Sequence, residues 1–184
     1  NAIVGTADKP VILENDFNNV QWMTLKAGWN WVSFNVVPED ENVTVGEFLN
    51  KAAGWEPGDI ITSVNGTNVQ QWVYHEVENT KKTAARTYKW DHEDEKIDID
   101  ATLMYRIYSS SAKTAYFEGW STYEAIKLRK GWNRIAYLSS INLPIAQALS
   151  GYQANAGDVI KSQDAFAVAT NIQDHIVWKG SLTT

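Results

Sequence analysis

Aromatic side chains are the residues of this sequence whose chemistry stands out most. The chain of 184 residues contains nine Trp, eight Tyr and five Phe. Flat rings bury large apolar areas, and the polar atoms of Trp and Tyr can also form hydrogen bonds. Such rings either build a core or face a ligand, and rings flanked by amides suit the apolar faces of sugars. The first question is therefore which tryptophans the fold itself requires.

An internal repeat divides the tryptophans into two groups. The motif Leu-x-x-Gly-Trp-Asn begins at Leu25 and returns at Leu128, and a Gly-Asp turn follows each copy, at Gly58 and at Gly157. Two ordered matches indicate a duplicated unit, and repeats determine architecture before any single residue does. Tryptophans at the same position in both copies are predicted to be core residues. They are Trp29 with Trp132, and Trp90 with Trp178.

Tryptophans without an aligned partner are candidates for a binding site, because the common fold does not need them. They are Trp22, Trp31, Trp55, Trp72 and Trp120. Amide and hydroxyl side chains surround Trp72 in the sequence, as in many sugar sites. We therefore predict a ligand-binding site on the first copy, formed by Trp31, Trp55, Trp72, Gln70 and Tyr74. The alternative is that these rings pack between the two copies.

Catalytic and metal-binding patterns are weak in this sequence. It contains no Gly-rich phosphate loop, no His-Glu-x-x-His and no Gly-x-Ser-x-Gly. An acidic run that includes Asp91, Glu93 and Asp94 offers the oxygen ligands that calcium prefers. The run lacks the glycine and the terminal glutamate of an EF-hand loop. We predict no enzymatic activity and no cofactor, with calcium at these three carboxylates as the alternative.

The composition argues against two classes of partner. The net charge of −6 repels a phosphate backbone, so nucleic acid is not expected. No segment approaches the roughly 20 apolar residues that a membrane-spanning helix needs. The absence of cysteine removes disulfides and thiolate chemistry. The remaining partners are a polysaccharide or cell-surface glycan and other domains of the same larger protein.

Local sequence patterns place these residues on strands, with one short helix in each copy. After Trp29 the side chains alternate with the period of two that is typical of a strand. Thr44 and Glu47 form a capping-box pattern at the start of a helix, and Pro144 marks a helix start in the second copy. The sequence predicts a mainly β, α+β fold: two tandem β-rich repeats, each with one short helix after its first strand.

The predicted boundaries follow the repeat. Residues 1–22 end a preceding repeat or form a connecting strand, and residues 23–120 form the first repeat. Residues 121–184 form a second repeat that is incomplete at its C-terminal end, because it has no counterpart of residues 104–119. We expect an excerpt of a longer array; the alternative is that a strand at residues 2–4 completes the second unit.

The motifs together resemble a module that recurs in secreted and surface proteins of bacteria. In that module Leu-x-x-Gly-Trp-Asn opens a strand, followed by a Gly-Asp-x-Ile turn, a Trp-x-Gly and a Tyr-x-Ile strand. The matching segments here are Gly157-Asp158-Val159-Ile160, Trp178-Lys179-Gly180 and Tyr105-Arg106-Ile107. The first copy departs from the pattern at Trp90-Asp91, where glycine is expected.

The resemblance implies a function without implying catalytic residues. It indicates a non-catalytic accessory module, extracellular or on the bacterial cell surface, that binds carbohydrate or serves adhesion within a larger protein. A purely structural spacer repeat is one alternative. A glycoside hydrolase-type enzyme is the other and less favoured one, because no pair of carboxylates stands out from the 22 acidic residues.

Overall fold

The chain folds mainly into β-strands, as the sequence predicted. The computed structural model describes residues 19–52, 54–65, 68–77, 85–122, 124–139 and 141–183. The strand predicted at residues 2–4 lies outside the described residues. The strands are β1 (Asn19–Leu25), β2 (Gly28–Ser33), β3 (Val36–Val37), β4 (Ile60–Asn65), β5 (Asn68–Val77), β6 (Thr87–Trp90), β7 (Met104–Ser109), β8 (Lys113–Ser121), β9 (Val159–Lys161), β10 (Phe166–Ile172) and β11 (His175–Gly180). The helices are α1 (Val45–Leu49) and α2 (Ile145–Ala148).

These strands form three antiparallel sheets. Two belong to the first copy: a five-stranded sheet in the order β2-β7-β4-β5-β6 and a three-stranded sheet in the order β1-β8-β3. The second copy contributes a three-stranded sheet in the order β11-β10-β9. Strands β7 and β8 are joined by a short turn, but each pairs with strands of a different sheet and not with the other. We call these two strands and their turn the β7–β8 arch, and it joins the two sheets of the first copy.

The core of the first copy consists of aromatic rings from both sheets and from α1. Phe34 meets Phe117 of β8 edge-on at a centroid distance of 4.9 Å and Tyr105 of β7 at 5.0 Å. Phe48 of α1 stacks on Phe117 at 5.8 Å. All four side chains are fully buried. The β7–β8 arch thus supplies two central rings of the core, Tyr105 and Phe117.

The two helices are short, and only the first is capped by a side chain. The Thr44 hydroxyl accepts from the backbone N–H of Glu47 at 3.2 Å, and the Glu47 carboxylate accepts from Thr44 N–H at 2.8 Å. The predicted capping box is confirmed, and such a cap contributes roughly 1 kcal/mol. Helix α2 has Pro144 at its N-cap and no side-chain cap. Within the described residues no helix is long and apolar enough to span a bilayer.

The duplicated motifs fold alike at the level of single hydrogen bonds. Asn30 and Asn133 each accept from the backbone N–H four residues earlier, at 2.9 Å in both copies. Their side-chain amides donate to the carbonyls four and two residues earlier. The preceding glycines, Gly28 and Gly131, have φ of 91° and 98°, which side chains rarely adopt. The motif is therefore a turn built by its Gly and Asn.

The second shared motif also repeats its geometry. Both Gly-Asp turns have a glycine φ of 94°. The glycine N–H donates at 2.8 Å to the carbonyl of Tyr74 in β5 in the first copy and of Ala169 in β10 in the second. Trp90 pairs with Tyr74 across the strands, and Trp178 pairs with Ala169 at the corresponding position. The two copies thus share the strand register after the turn as well as the turn itself.

The prediction that the shared tryptophans are core residues is confirmed only for Trp90, which is fully buried. Trp178 is half-buried, while Trp29 and Trp132 expose 43% and 77% of their surface. What the two copies of the first motif share is a turn that Gly and Asn form by themselves. The tryptophan between them need not be buried for this turn to form. Trp29 leaves β2 on the side opposite the core.

The segment of the second copy that corresponds to β2 forms no regular strand, although the motif predicted one. Only Ile135 makes an isolated bridge, to Leu103 of the first copy. In the first copy β2 is paired by β7 alone. Among the described residues the second copy contains no equivalent of β7, so its motif lacks the strand that would pair with it.

Candidate functional site

The predicted site residues Trp55 and Trp72 are held by the core of the first copy. Trp72 is buried, because its side of β5 faces inward. Trp55 is half-buried: its indole N–H donates to the carbonyl of Leu49 at 2.8 Å, and its ring meets Trp90 edge-on at 5.0 Å. Trp72 is thus enclosed by the core, and Trp55 is covered in part.

Gln70 and Tyr74 lie on the same inward side of β5. The Gln70 amide donates to the carbonyl of Asp98 at 3.1 Å and accepts from the Tyr105 hydroxyl at 3.2 Å. The ring of Tyr74 lies 5.2 Å from that of Trp90, and burial raises the pKa of Tyr74. Both side chains therefore have partners within the protein. The sequence did not separate the two sides of β5, because each side carries polar residues.

Trp31 is exposed but lies where the two copies meet. Its backbone N–H donates to the side chain of Gln163 at 2.8 Å, and Gln163 donates in turn to the carbonyl of Trp29 at 2.8 Å. The ammonium of Lys161 lies 5.2 Å from the Trp31 ring. Both partners belong to the second copy, so the alternative of packing between copies describes this tryptophan.

Two of the three acidic residues considered for calcium have protein partners. Asp91 lies 3.0 Å from the imidazole of His75, and Glu93 accepts from the side-chain amide of Asn50 at 3.0 Å. Asp94 is exposed. Within the described part of the chain, no group of three or more Asp, Glu or His side chains is arranged to hold a metal ion.

Three other aromatic residues share the outer side of the sheet β1-β8-β3, and we call Trp22, Tyr116 and Trp120 the aromatic face. Trp22 and Trp120 expose 67% and 41% of their surface. Trp22 lies directly opposite Tyr116 in the strand pairing, with ring centroids 5.1 Å apart and an interplanar angle of 41°. Trp120 follows Tyr116 by four residues on the same side of β8, about 13 Å further along the strand.

Strand alternation explains why these rings point outward. Met23 and Leu25 of β1, and Ala115 and Phe117 of β8, turn into the core. The residues between them must therefore face the opposite side of the sheet. One sheet therefore carries all three rings on the same side, and the contact between Trp22 and Tyr116 orients two of them.

Glycine allows the third strand to approach this surface. A Cβ added to Gly119 would lie 1.9 Å from the carbonyl oxygen of Val37 in β3. Val37 is the register partner of Trp120. The absence of a side chain at Gly119 therefore lets β3 pair with β8 beside the exposed Trp120.

Polar groups border the aromatic face on two sides. Thr24 and Thr114 are exposed and lie opposite each other in the register, next to the pair formed by Trp22 and Tyr116. Glu118 lies between Tyr116 and Trp120 on the same side of β8. Hydroxyl and carboxylate groups in these positions can direct hydrogen bonds at a ligand that stacks on the rings.

A groove continues the surface beyond Glu118. The Glu118 carboxylate lies 3.3 Å from the ammonium of Lys51, which also lies 3.8 Å from Glu39. These three residues line an open groove of about 490 Å³ between α1 and the sheet. The aromatic face therefore adjoins a concave surface that offers both charge signs.

Trp22 and Trp120 were recognised in the sequence as unshared but were not assigned to the site. They come together only because the N-terminal strand β1 pairs with β8, far along the chain. The period of two along a strand, which puts Trp22 on the side opposite Met23 and Leu25, is the sequence signal that could have found it.

No protein-family model, curated protein or solved structure matches this chain. The resemblance to a bacterial surface module stays a prediction. The candidate site is therefore argued from its geometry.

Proposed function

We propose that this chain is a non-catalytic extracellular module that binds a polysaccharide or cell-surface glycan through the aromatic face. The observation that carries the proposal is the exposure of Trp22 and Trp120 on one side of a single sheet. Contiguous exposed apolar patches on proteins commonly mark interaction sites. Fixed, flat rings can cover the apolar faces of sugars without losing much conformational freedom.

The spacing of the rings favours an extended ligand. Trp22 and Trp120 are separated along the sheet by about four residues of strand, roughly 13 Å. A chain of several sugars can contact both rings, whereas one monosaccharide can contact only one. The preferred ligand is thus an oligomer or polymer.

The charge distribution favours a neutral glycan over an acidic one. The chain carries a net charge of −6. Glu118 lies within the face, and its neighbour Lys51 forms ion pairs with both Glu118 and Glu39. Polyanionic glycans would be repelled by this surface, while neutral hydroxyls can donate to the Glu118 carboxylate. Binding through stacking and a few hydrogen bonds needs no cofactor and typically falls between millimolar and micromolar Kd, about −4 to −8 kcal/mol.

The resemblance of the Leu-x-x-Gly-Trp-Asn motif supports a place on the bacterial cell surface or in a secreted protein. In such a protein the module would work beside other domains of the same larger chain. Its role would be to hold that protein on a glycan. A spacer repeat is the competing function, and it predicts no glycan binding at all.

Titration with soluble neutral polysaccharides tests the proposal, with tryptophan fluorescence and calorimetry as readouts. Trp22→Ala and Trp120→Ala should each weaken binding about tenfold, or roughly 1.4 kcal/mol. Trp132→Ala is the matched control, because Trp132 is even more exposed but lies on the second copy. Unchanged affinity in both sheet variants would place the site elsewhere, and no binding by the parent chain would favour the spacer.

A further inference from the structure

The outer side of the five-stranded sheet carries basic residues and no acidic one. Sides alternate along each strand, so Ile61 and Ile107 face the core and the residues next to them lie on the outer side. The register places outward the odd-numbered residues of β2, β5 and β6 and the even-numbered residues of β4 and β7. None of these residues is Asp or Glu, although the chain contains 22 acidic residues. This side of the sheet is therefore suited to an anionic ligand.

Arg106 of β7 is held against an exposed indole on this side. Its guanidinium carbon lies 5.1 Å from the centre of the Trp29 ring, and Tyr108 meets the same ring edge-on at 5.4 Å. Within the part of the chain that the structure describes, the Arg106 side chain forms no ion pair or hydrogen bond. An arginine that lies over a ring keeps its N–H donors for a carboxylate. Arg106 is thus oriented by the ring and still has all its donors.

A second cation lies beside the first, and it comes from the second copy. The ammonium of Lys161 lies 5.2 Å from the centre of the Trp31 ring, and Trp31 is the register partner of Arg106. Gln163 bonds to backbone groups of Trp29 and Trp31 and so fixes this segment against β2. Lys161 is exposed and, among the described residues, has no ion-pair partner. We call Trp29, Trp31, Arg106 and Lys161 the cation–indole site.

Two acidic residues close to this side of the sheet have partners of their own. Asp164 lies 3.8 Å from the ammonium of Lys26, and Asp91, which follows β6 at the far edge of the sheet, lies 3.0 Å from the imidazole of His75. The two tryptophans of the site are two positions apart on β2, a separation of about 7 Å. The site therefore combines two free charges and two flat apolar surfaces within the length of a short sugar chain.

We propose that the cation–indole site binds the uronic acid units of an acidic glycan. Their carboxylates accept from the guanidinium of Arg106 and the ammonium of Lys161, and the sugar rings lie against the exposed parts of Trp29 and Trp31. Charge complementarity selects this occupant, because a neutral sugar leaves both cations unpaired. The site lies on a different sheet from the aromatic face, and the proposal does not depend on glycan binding there.

Calorimetric titration of the full chain with a galacturonate hexamer, and with the same hexamer fully methyl-esterified, tests the proposal. The ester keeps the sugar rings and removes the charges, so it is the matched ligand control. The parent should bind the acid at low salt with a Kd below about 1 mM, and about fivefold or more tightly than the ester. This preference should shrink at about 0.5 M NaCl, because salt screens exposed charges.

Arg106→Met and Lys161→Met should each weaken binding of the acid about fivefold or more, because each removes a charged donor and keeps an unbranched apolar stem. Lys89→Met is the matched control, since Lys89 lies on the same side of the sheet but three strands from β7, roughly 14 Å away. It should bind like the parent. Trp22→Ala should also bind the acid like the parent, which separates this site from the aromatic face. Thermal unfolding checks that each variant remains folded.

Equal affinity of the parent for acid and ester would overturn the proposal, as would unchanged affinity in both Arg106→Met and Lys161→Met. No binding of the acid by the parent up to about 10 mM would do the same. Inorganic phosphate at matched ionic strength tests the other common source of an anion. If phosphate displaced the hexamer more effectively than monomeric galacturonate does, phosphate groups and not uronic acids would be the ligand.

Discussion

Asp59 connects parts of the first copy that are far apart in the sequence. Its carboxylate is fully buried and accepts hydrogen bonds from its own turn and from the β7–β8 arch. Its main ionic partner, Lys113, is also nearly buried. A buried charge that loses its partner keeps its desolvation cost, so this residue pair should be sensitive to substitution.

Replacing Lys113 by Met should therefore destabilise the chain by about 3 kcal/mol or more, the cost typical of breaking a buried ion pair. Lys26→Met is the matched control, because the 3.8 Å pair of Lys26 with Asp164 is largely exposed. The control should change stability by less than about 1 kcal/mol. Urea denaturation of both variants measures the difference, and comparable losses would show that the Asp59 pair is not a buried one.

Acid should weaken the same interaction. Burial acts to raise the pKa of Asp59, but hydrogen bonds from Lys113 and Ser110 outweigh it and hold the pKa below its ordinary value. A carboxyl group with a lowered folded pKa stabilises the protein above its unfolded pKa of about 3.9, and this contribution is lost as the pH falls through the folded value.

The unfolding free energy of the parent should thus decline more steeply than that of Asp59→Asn between about pH 5 and pH 3. Asparagine does not ionise in this range. The variant should therefore have a lower unfolding free energy at pH 5, and that free energy should depend less on pH. Denaturation curves collected across this range give both slopes. Parallel slopes would mean that Asp59 titrates alike in the folded and unfolded chains.

At the scale of elements, β8 separates the core from the candidate site. One side of the strand packs Ala115 and Phe117 against the core, and the other presents Tyr116 and Trp120. Because Gly119 has no side chain, β3 can lie close enough to pair with β8. The position of the aromatic face therefore depends on contacts in both neighbouring strands.

Gly119→Ala should disturb this sheet, because the new methyl would overlap the Val37 carbonyl. We expect a loss of about 1–3 kcal/mol or more, as for other overpacked positions. Gly151→Ala is the control, since nothing lies within 4 Å of its added Cβ, and it should change stability by about 0.5 kcal/mol or less. Thermal unfolding monitored by circular dichroism compares the two, and a harmless Gly119→Ala would contradict the close approach of β3.

Local elements were predictable from the sequence, whereas the positions of the aromatic rings were not. The capping box of Thr44 and Glu47 involves four consecutive residues, so the pattern contains all its partners. The exposure of Trp22 depends on the pairing of β1 with β8, which are distant in the chain. Trp72 pairs with Ile61 in a local hairpin, but its burial depends on which side of that hairpin faces the core. The error at Trp29 has another cause: repetition revealed a turn, and a turn does not require its tryptophan to be buried.

At the scale of the whole molecule, the two copies differ in how completely they are packed. Among the described residues the first copy has two sheets around a continuous core, and the second has one sheet with exposed apolar residues. Their contact includes Gln163, which bonds to the open edge of β2 at Trp29 and Trp31. Within this part of the chain the shared motifs repeat, but the elements that bury them do not.

Amide hydrogen exchange should reveal this asymmetry. Amides of β4 and β7 in the first copy should exchange at least about tenfold more slowly than those of β10 and β11, because local opening is easier where few apolar contacts are lost. Mass spectrometry of peptic fragments from the full chain gives the comparison. Equal protection in both copies would indicate that they unfold as one cooperative unit.

The most direct test of glycan binding through the aromatic face is the indole N–H spectrum of the nine tryptophans, recorded with ¹⁵N labelling during titration with a neutral polysaccharide. Single Trp→Phe substitutions assign the signals. The account predicts that the signals of Trp22 and Trp120 shift progressively and saturate, while those of the buried Trp72 and Trp90 stay in place. Shifts confined to other tryptophans, with Trp22 and Trp120 unmoved, would contradict it.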